Sequence, residues 1–228
     1  GSRPLLFCVA GGGGVGLCFR ELARHLDDEQ PVWALQAHNL ESGGFPDRSV
    51  AKIARRNIAE LRAVQPVGPY HLLGYSFGGI VAFEMARRLR AAGDEVALLV
   101  LVDSFVPDPR QVVCDGEPQQ RLRRSVWRAR VALSTLLPTI GRGHYIRFYR
   151  QSAALARRYH GKAWPGTTLV VTSQDDAVPG RSSAAWARFL SGSWHETRVP
   201  GRHEALLREP FVAPLAEAVA TALREASA

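Results

Sequence analysis

Solid apolar runs recur along the chain at Pro4 to Ala10, Pro31 to Leu35, Tyr70 to Leu73, Val96 to Val102 and Thr167 to Thr172, and Trp194 to Val199 reads as a short final strand. Runs of this length with no polar alternation read as strands buried on both faces. The stretches between them carry helical spacing. Leu17, Phe19, Leu22, Ala23 and Leu26 follow the first run. Val50, Ile53, Ile58 and Leu61 lie in Ser49 to Val64, with Ser49 placed as an N-cap. Val81, Phe83, Met85, Ala86 and Leu89 lie in Ile80 to Arg90, which Gly93 closes. Ser183 to Leu190 and Pro210 to Ala226 complete the set. Alternating strands and helices predict an α/β fold with a mostly parallel sheet covered by helices on both faces. Ligands of such sheets lie at the carboxyl ends of the strands.

One region breaks the alternation. No strand pattern lies between Val102 and Thr167. Gln119 to Leu137 and His144 to His160 read instead as helices, separated by Pro138 and Gly141. The expectation is a helical lid inserted at about residues 105–166 of a single domain spanning 1–228. The alternative is a pair of ordinary packing helices. The charge is concentrated there too. The chain carries a formal +8, and twelve basic against three acidic residues fall between Phe105 and Gly166, so the remainder is close to neutral. No nucleic-acid motif accompanies the patch. An acidic protein partner or a phosphate-bearing substrate fits it, as does a solvated arginine-rich helix face. No apolar run has membrane-spanning length and no signal peptide is apparent, so no membrane partner and a cytoplasmic location are expected. Cys8, Cys18 and Cys114 form no paired spacing and read as free thiols, with no metal site. Cys8, in an apolar run, is expected in the core.

The candidate chemistry sits between the third run and its helix. Gly74, Ser76 and Gly78 form Gly-x-Ser-x-Gly in a strand-turn-helix context, which projects a serine hydroxyl from the end of a sheet. Ser76 is the candidate nucleophile. It needs a base. Of the seven histidines, His203 lies in a loop after the last strand, where it can reach the strand ends. His71, inside the strand before Ser76, reads as a hydrogen-bonded core residue. The base in turn needs a carboxylate to fix its tautomer. Asp103 ends one strand run; Asp175 and Asp176 end the next, where they also fit turn chemistry. Asp103 ranks first, with Asp175 as the alternative. Gly11 to Gly14 after the first strand lack a P-loop ending, and no acid follows the second strand to take a ribose. They suit an oxyanion hole, made by the backbone N–H groups of Phe77 and Gly12.

Gly74-Tyr75-Ser76-Phe77-Gly78-Gly79, the Leu101-Val102-Asp103-Ser104 strand end and Gly201-Arg202-His203-Glu204-Ala205-Leu206-Leu207 before Pro210 are similar to the α/β-hydrolase-fold thioesterase domains that end nonribosomal peptide and polyketide synthases. The resemblance covers nearly the whole chain. It implies a serine thioesterase that needs no cofactor. Its substrate is an acyl or peptidyl chain held as a thioester on the phosphopantetheine of a carrier protein or domain, released by hydrolysis or macrocyclisation. Asp175-Asp176-Ala177-Val178-Pro179 resembles the acid segment of stand-alone editing thioesterases. That function and a small-molecule serine esterase are the alternatives.

Overall fold

The structure is a computed structural model that describes residues 3–42, 44–106, 142–175 and 179–227. The helix expected over Gln119 to Leu137, Cys114 and Asp176 lie outside the described residues.

Six strands form one sheet: β1 (Leu6–Val9), β2 (Val32–Leu35), β3 (Tyr70–Tyr75), β4 (Val96–Val102), β5 (Thr168–Ser173) and β6 (Trp194–Val199). Their order is β2-β1-β3-β4-β5-β6. Every pairing is parallel. The apolar runs therefore occupy the centre, where β1, β3, β4 and β5 are buried almost throughout. The edge strands are more exposed, and Trp33 of β2 is 43% accessible.

Among the described residues the α-helices are α1 (Arg20–His25), α2 (Val50–Val64), α3 (Phe77–Ala91), α4 (Arg142–Ala156), α5 (Ser183–Trp186) and α6 (Val212–Ala226). Ser49 caps α2 by accepting from the Lys52 N–H at 3.1 Å, and Gly93 follows α3 with φ +91°. Strand residues alternate between two cores. Phe7, Tyr70, Leu72, Leu99 and Leu101 pack with α2 and α3. Leu6, Leu73, Leu98, Val100 and Val102 pack with α1 and α6. Cys8 is buried in the second core. The strand order reverses between β1 and β3, so the ends of these strands bound the crevice where ligands of open parallel sheets bind.

Two expectations are corrected. His71 is buried on β3, but neither ring nitrogen has a hydrogen-bond partner. Its register neighbours are Leu6 and Leu98, which have no polar side-chain atom to offer. Burial holds its imidazole below the ordinary value. The helix over Ser183 to Leu190 stops at Trp186. Beyond it the backbone turns to pair with Trp164: the Trp164 N–H donates to Phe189 O at 2.7 Å and the Ser191 N–H to Trp164 O at 2.9 Å. This pairing outcompetes the helical period.

Candidate active site

Ser76 sits between β3 and α3 with φ +56° and ψ −121°, a conformation costly for a residue with a side chain. The surroundings enforce it. A Cβ on Gly74 would come within 2.4 Å of Gly78 O, and one on Gly78 within 2.1 Å of Val9 O. Only glycine allows the strand, the turn and β1 to approach so closely. The Ser76 N–H donates to Val102 O at 2.9 Å, and the Ser104 hydroxyl donates to Ser76 O at 2.7 Å. The buried Trp186 fixes Ser104 in turn, its indole N–H donating to Ser104 O at 2.9 Å.

His203 opens a short 3-10 turn after β6. Its Nε2 lies 3.0 Å from Ser76 Oγ, and its Nδ1 lies 2.6 Å from Asp103 Oδ2. Tyr75 braces the ring. The two rings stack with centroids 5.0 Å apart, and the Tyr75 hydroxyl donates to the His203 backbone carbonyl.

Asp103 follows β4 with φ +43° and is 2% exposed. Its Oδ1 accepts from the Ser173 N–H and hydroxyl, each at 3.2 Å. Its Oδ2 accepts from His203 and from the buried Arg181 guanidinium. Burial pushes the carboxyl up, but the His203 hydrogen bond, the Arg181 charge and the Ser173 N–H outweigh it and hold the group below its ordinary value. Asp175 is placed differently. It is exposed, and its Oδ2 accepts from the Gly201 N–H at 2.9 Å. It ties down the loop that carries His203.

The glycine loop lies alongside Ser76. A Cβ on Gly11 would be 3.5 Å from Ser76 Cβ. The Gly11 N–H faces the Cys18 thiol, which burial nevertheless pushes up to about 11. Gly12 is next, and its carbonyl accepts from the Ser152 hydroxyl of α4 at 3.1 Å. Phe77 is the first residue of α3, so its N–H has no acceptor within the helix.

The structure thus brings Ser76, His203 and Asp103 into one hydrogen-bonded chain and leaves Asp175 outside it. Arg181 had no sequence signal, standing 78 residues from Asp103 in a Pro-Gly-Arg turn. Tyr75 could have been found, because it is the variable residue just before Ser76 in the glycine-serine motif. Among the described residues no cluster of metal-ligating side chains occurs.

The family model described as the thioesterase domain matches residues 4–208. The chain belongs to this family. This thioesterase domain is 44% identical over 121 residues to malpinin synthetase of Mortierella alpina, and 39% identical over 105 residues to a dimodular nonribosomal peptide synthase of Bacillus subtilis. These alignments cover 53% and 46% of the chain but only 2% and 4% of those proteins. The chain therefore spans a small part of their length. Among solved structures it is similar to the NocB thioesterase domain in covalent complex with a fluorophosphonate nocardicin G analog. The TM-score is 0.77 and the identity 30%, over 96% of this chain and 94% of that one. The type II thioesterase BorB shares the fold, with a TM-score of 0.73 and 23% identity, over 98% of this chain and 94% of that one. No helix among the described residues is long and apolar enough to cross a membrane.

Proposed function

We propose that the domain releases an acyl or peptidyl chain from a carrier-bound phosphopantetheine thioester through a Ser76 acyl-enzyme. The observation that carries this reading is the continuous contact from Ser76 Oγ through the His203 ring to the buried Asp103 carboxylate. Nδ1–H of His203 donates to Asp103, which leaves Nε2 unprotonated and facing the serine hydroxyl. His203 takes the Ser76 proton as Oγ attacks the thioester carbonyl. The Phe77 and Gly12 N–H groups hold the oxyanion. The tetrahedral adduct collapses, the C–S bond breaks, and the imidazolium returns its proton to the departing thiol. His203 then deprotonates water, or a hydroxyl or amine of the acyl chain, to free an acid or a ring. A carrier domain is the partner, in keeping with the multidomain synthetases the chain is similar to.

The test is intact-mass spectrometry of the protein mixed with a panel of acyl and peptidyl thioesters, with Ser76→Ala as control. The expected result is an acyl adduct that requires Ser76, with released acid or ring. Hydrolysis of simple oxygen esters with no thioester turnover would replace this reading with that of an esterase.

A further inference from the structure

A cavity of about 520 Å³, counting its open mouth, lies under α4 beside the triad. Gly11 and Phe77, which flank Ser76, form its inner end. Ile53, Val81 and Leu155 supply apolar wall. Gln36, Asp47, Arg56 and Gln151 make another part of the lining polar. Asn57 lines the cavity from the middle of α2 and is only 4% exposed. It lies on the buried stripe of the helix with Ala54, Ile58 and Leu61. Its carboxamide makes no hydrogen bond among the described residues, unlike the buried Asp103, whose two carboxylate oxygens are both engaged. A carboxamide on the buried stripe is unfavourable unless it meets a partner in the cavity it faces, and an apolar side chain at this position would pack the stripe better. Of the polar groups near it, Asp47 is bridged by Lys52 and Arg56.

We infer that Asn57 selects the acyl chain, favouring chains that carry a neutral amide near the thioester over plain hydrocarbon chains. This rests on the thioesterase reading. The carboxamide offers both donor and acceptor, which is the complement of a peptide group. A chain attached at Ser76 enters the cavity past Phe77 and Gly11, and its amide meets the Asn57 carboxamide there. A hydrocarbon chain leaves the carboxamide unpaired and is disfavoured.

The experiment compares two pantetheine-mimic thioesters of equal length, one with an amide in the acyl chain and one with methylenes in its place. For the unaltered protein kcat/KM favours the amide chain. Asn57→Leu lowers kcat/KM for the amide chain, raises it for the hydrocarbon chain, and shrinks their ratio by roughly 10- to 100-fold. Asn57→Asp keeps the acceptor, loses the donor and falls between. The melting temperature of Asn57→Leu holds or rises, since no internal bond is lost. An unchanged ratio in Asn57→Leu overturns the inference and leaves the thioesterase reading standing. A fall in melting temperature beyond about 5 °C also overturns it, because it shows the carboxamide to be a structural group. Absence of turnover of either thioester by the unaltered protein overturns both.

Discussion

The carboxyl ends of β4 and β5 carry similar sequence and do different work. Each apolar strand runs directly into a polar pair, Asp103-Ser104 after β4 and Gln174-Asp175 after β5. Asp103 turns inward with a left-handed φ, loses its water and gains His203, Arg181 and Ser173 in exchange. Asp175 stays in solvent and holds the Gly201 backbone. The lesson is that an acid after a parallel strand is placed by the turn it makes. A carboxylate that leaves water must find charge-assisted partners, and the end of β4 provides them for Asp103.

The largest expected effect separates the two acids directly. Asp103→Asn should lower kcat for thioester turnover by roughly 10⁴-fold, because the carboxamide no longer holds the His203 tautomer that accepts the serine proton. Steady-state kinetics beside a circular dichroism spectrum of the variant check this. A loss under about tenfold in a folded variant would remove Asp103 from the triad.

Arg181 sharpens the contrast next, since among the described residues no such cation pairs with Asp175. The guanidinium shares Oδ2 with His203 and so offsets part of the carboxylate charge felt by the imidazolium. In Arg181→Met the imidazolium faces the full carboxylate. The acid limb of the kcat/KM profile should then move to higher pH by about one unit, equivalent to about 1.4 kcal/mol. Stability should fall by about 3 kcal/mol, as expected when one partner of a buried pair is removed. A profile that does not move would show that Arg181 only packs.

The same carboxylate sets an acid limit on folding. Its folded value lies below the unfolded one, so its contribution to stability is fully present above about pH 3.9 and is lost as pH falls through the lower folded value. Urea midpoints measured between pH 5 and pH 2 should therefore fall less steeply in Asp103→Asn than in the unaltered protein. Equal slopes would mean that the charge is not stabilised by folding.

Much of this was legible in the residues, for a physical reason. Buried parallel strands need unbroken apolar runs, and Leu6–Val9 and Val96–Val102 fall where their runs lie, whereas the edge strand Trp194–Val199 is mostly polar and only partly buried. The glycines around Ser76 are demanded by backbone contacts within a few residues of one another and by β1, so the motif carries its own geometry. The choice between Asp103 and Asp175 did not lie in local pattern, because both follow strands. What distinguishes them in the structure are Arg181 and Ser173, which reach Asp103 from 78 and 70 residues away. The end of α5 was hidden for the same reason, since Trp164 draws the chain out of the helix. Asn57 carries its own signal in the sequence: it stands four residues after Ile53 and four before Leu61, where the helical period calls for an apolar side chain.

The smallest expected effect tests the other side of the comparison. Asp175→Ala removes the acceptor for the Gly201 N–H, two residues before His203. One such bond contributes about 1 kcal/mol, and this carboxylate is exposed, so the loss should not exceed that. The loop then holds the imidazole less firmly, and thioester turnover should drop a few-fold with the pH profile unchanged. Asp175→Asn keeps an oxygen at the same place and should recover most of the rate, which a residue needed for its charge would not do. A loss near 10⁴-fold in Asp175→Ala, unrelieved in Asp175→Asn, would reverse the assignment and make the end of β5 the source of the acid.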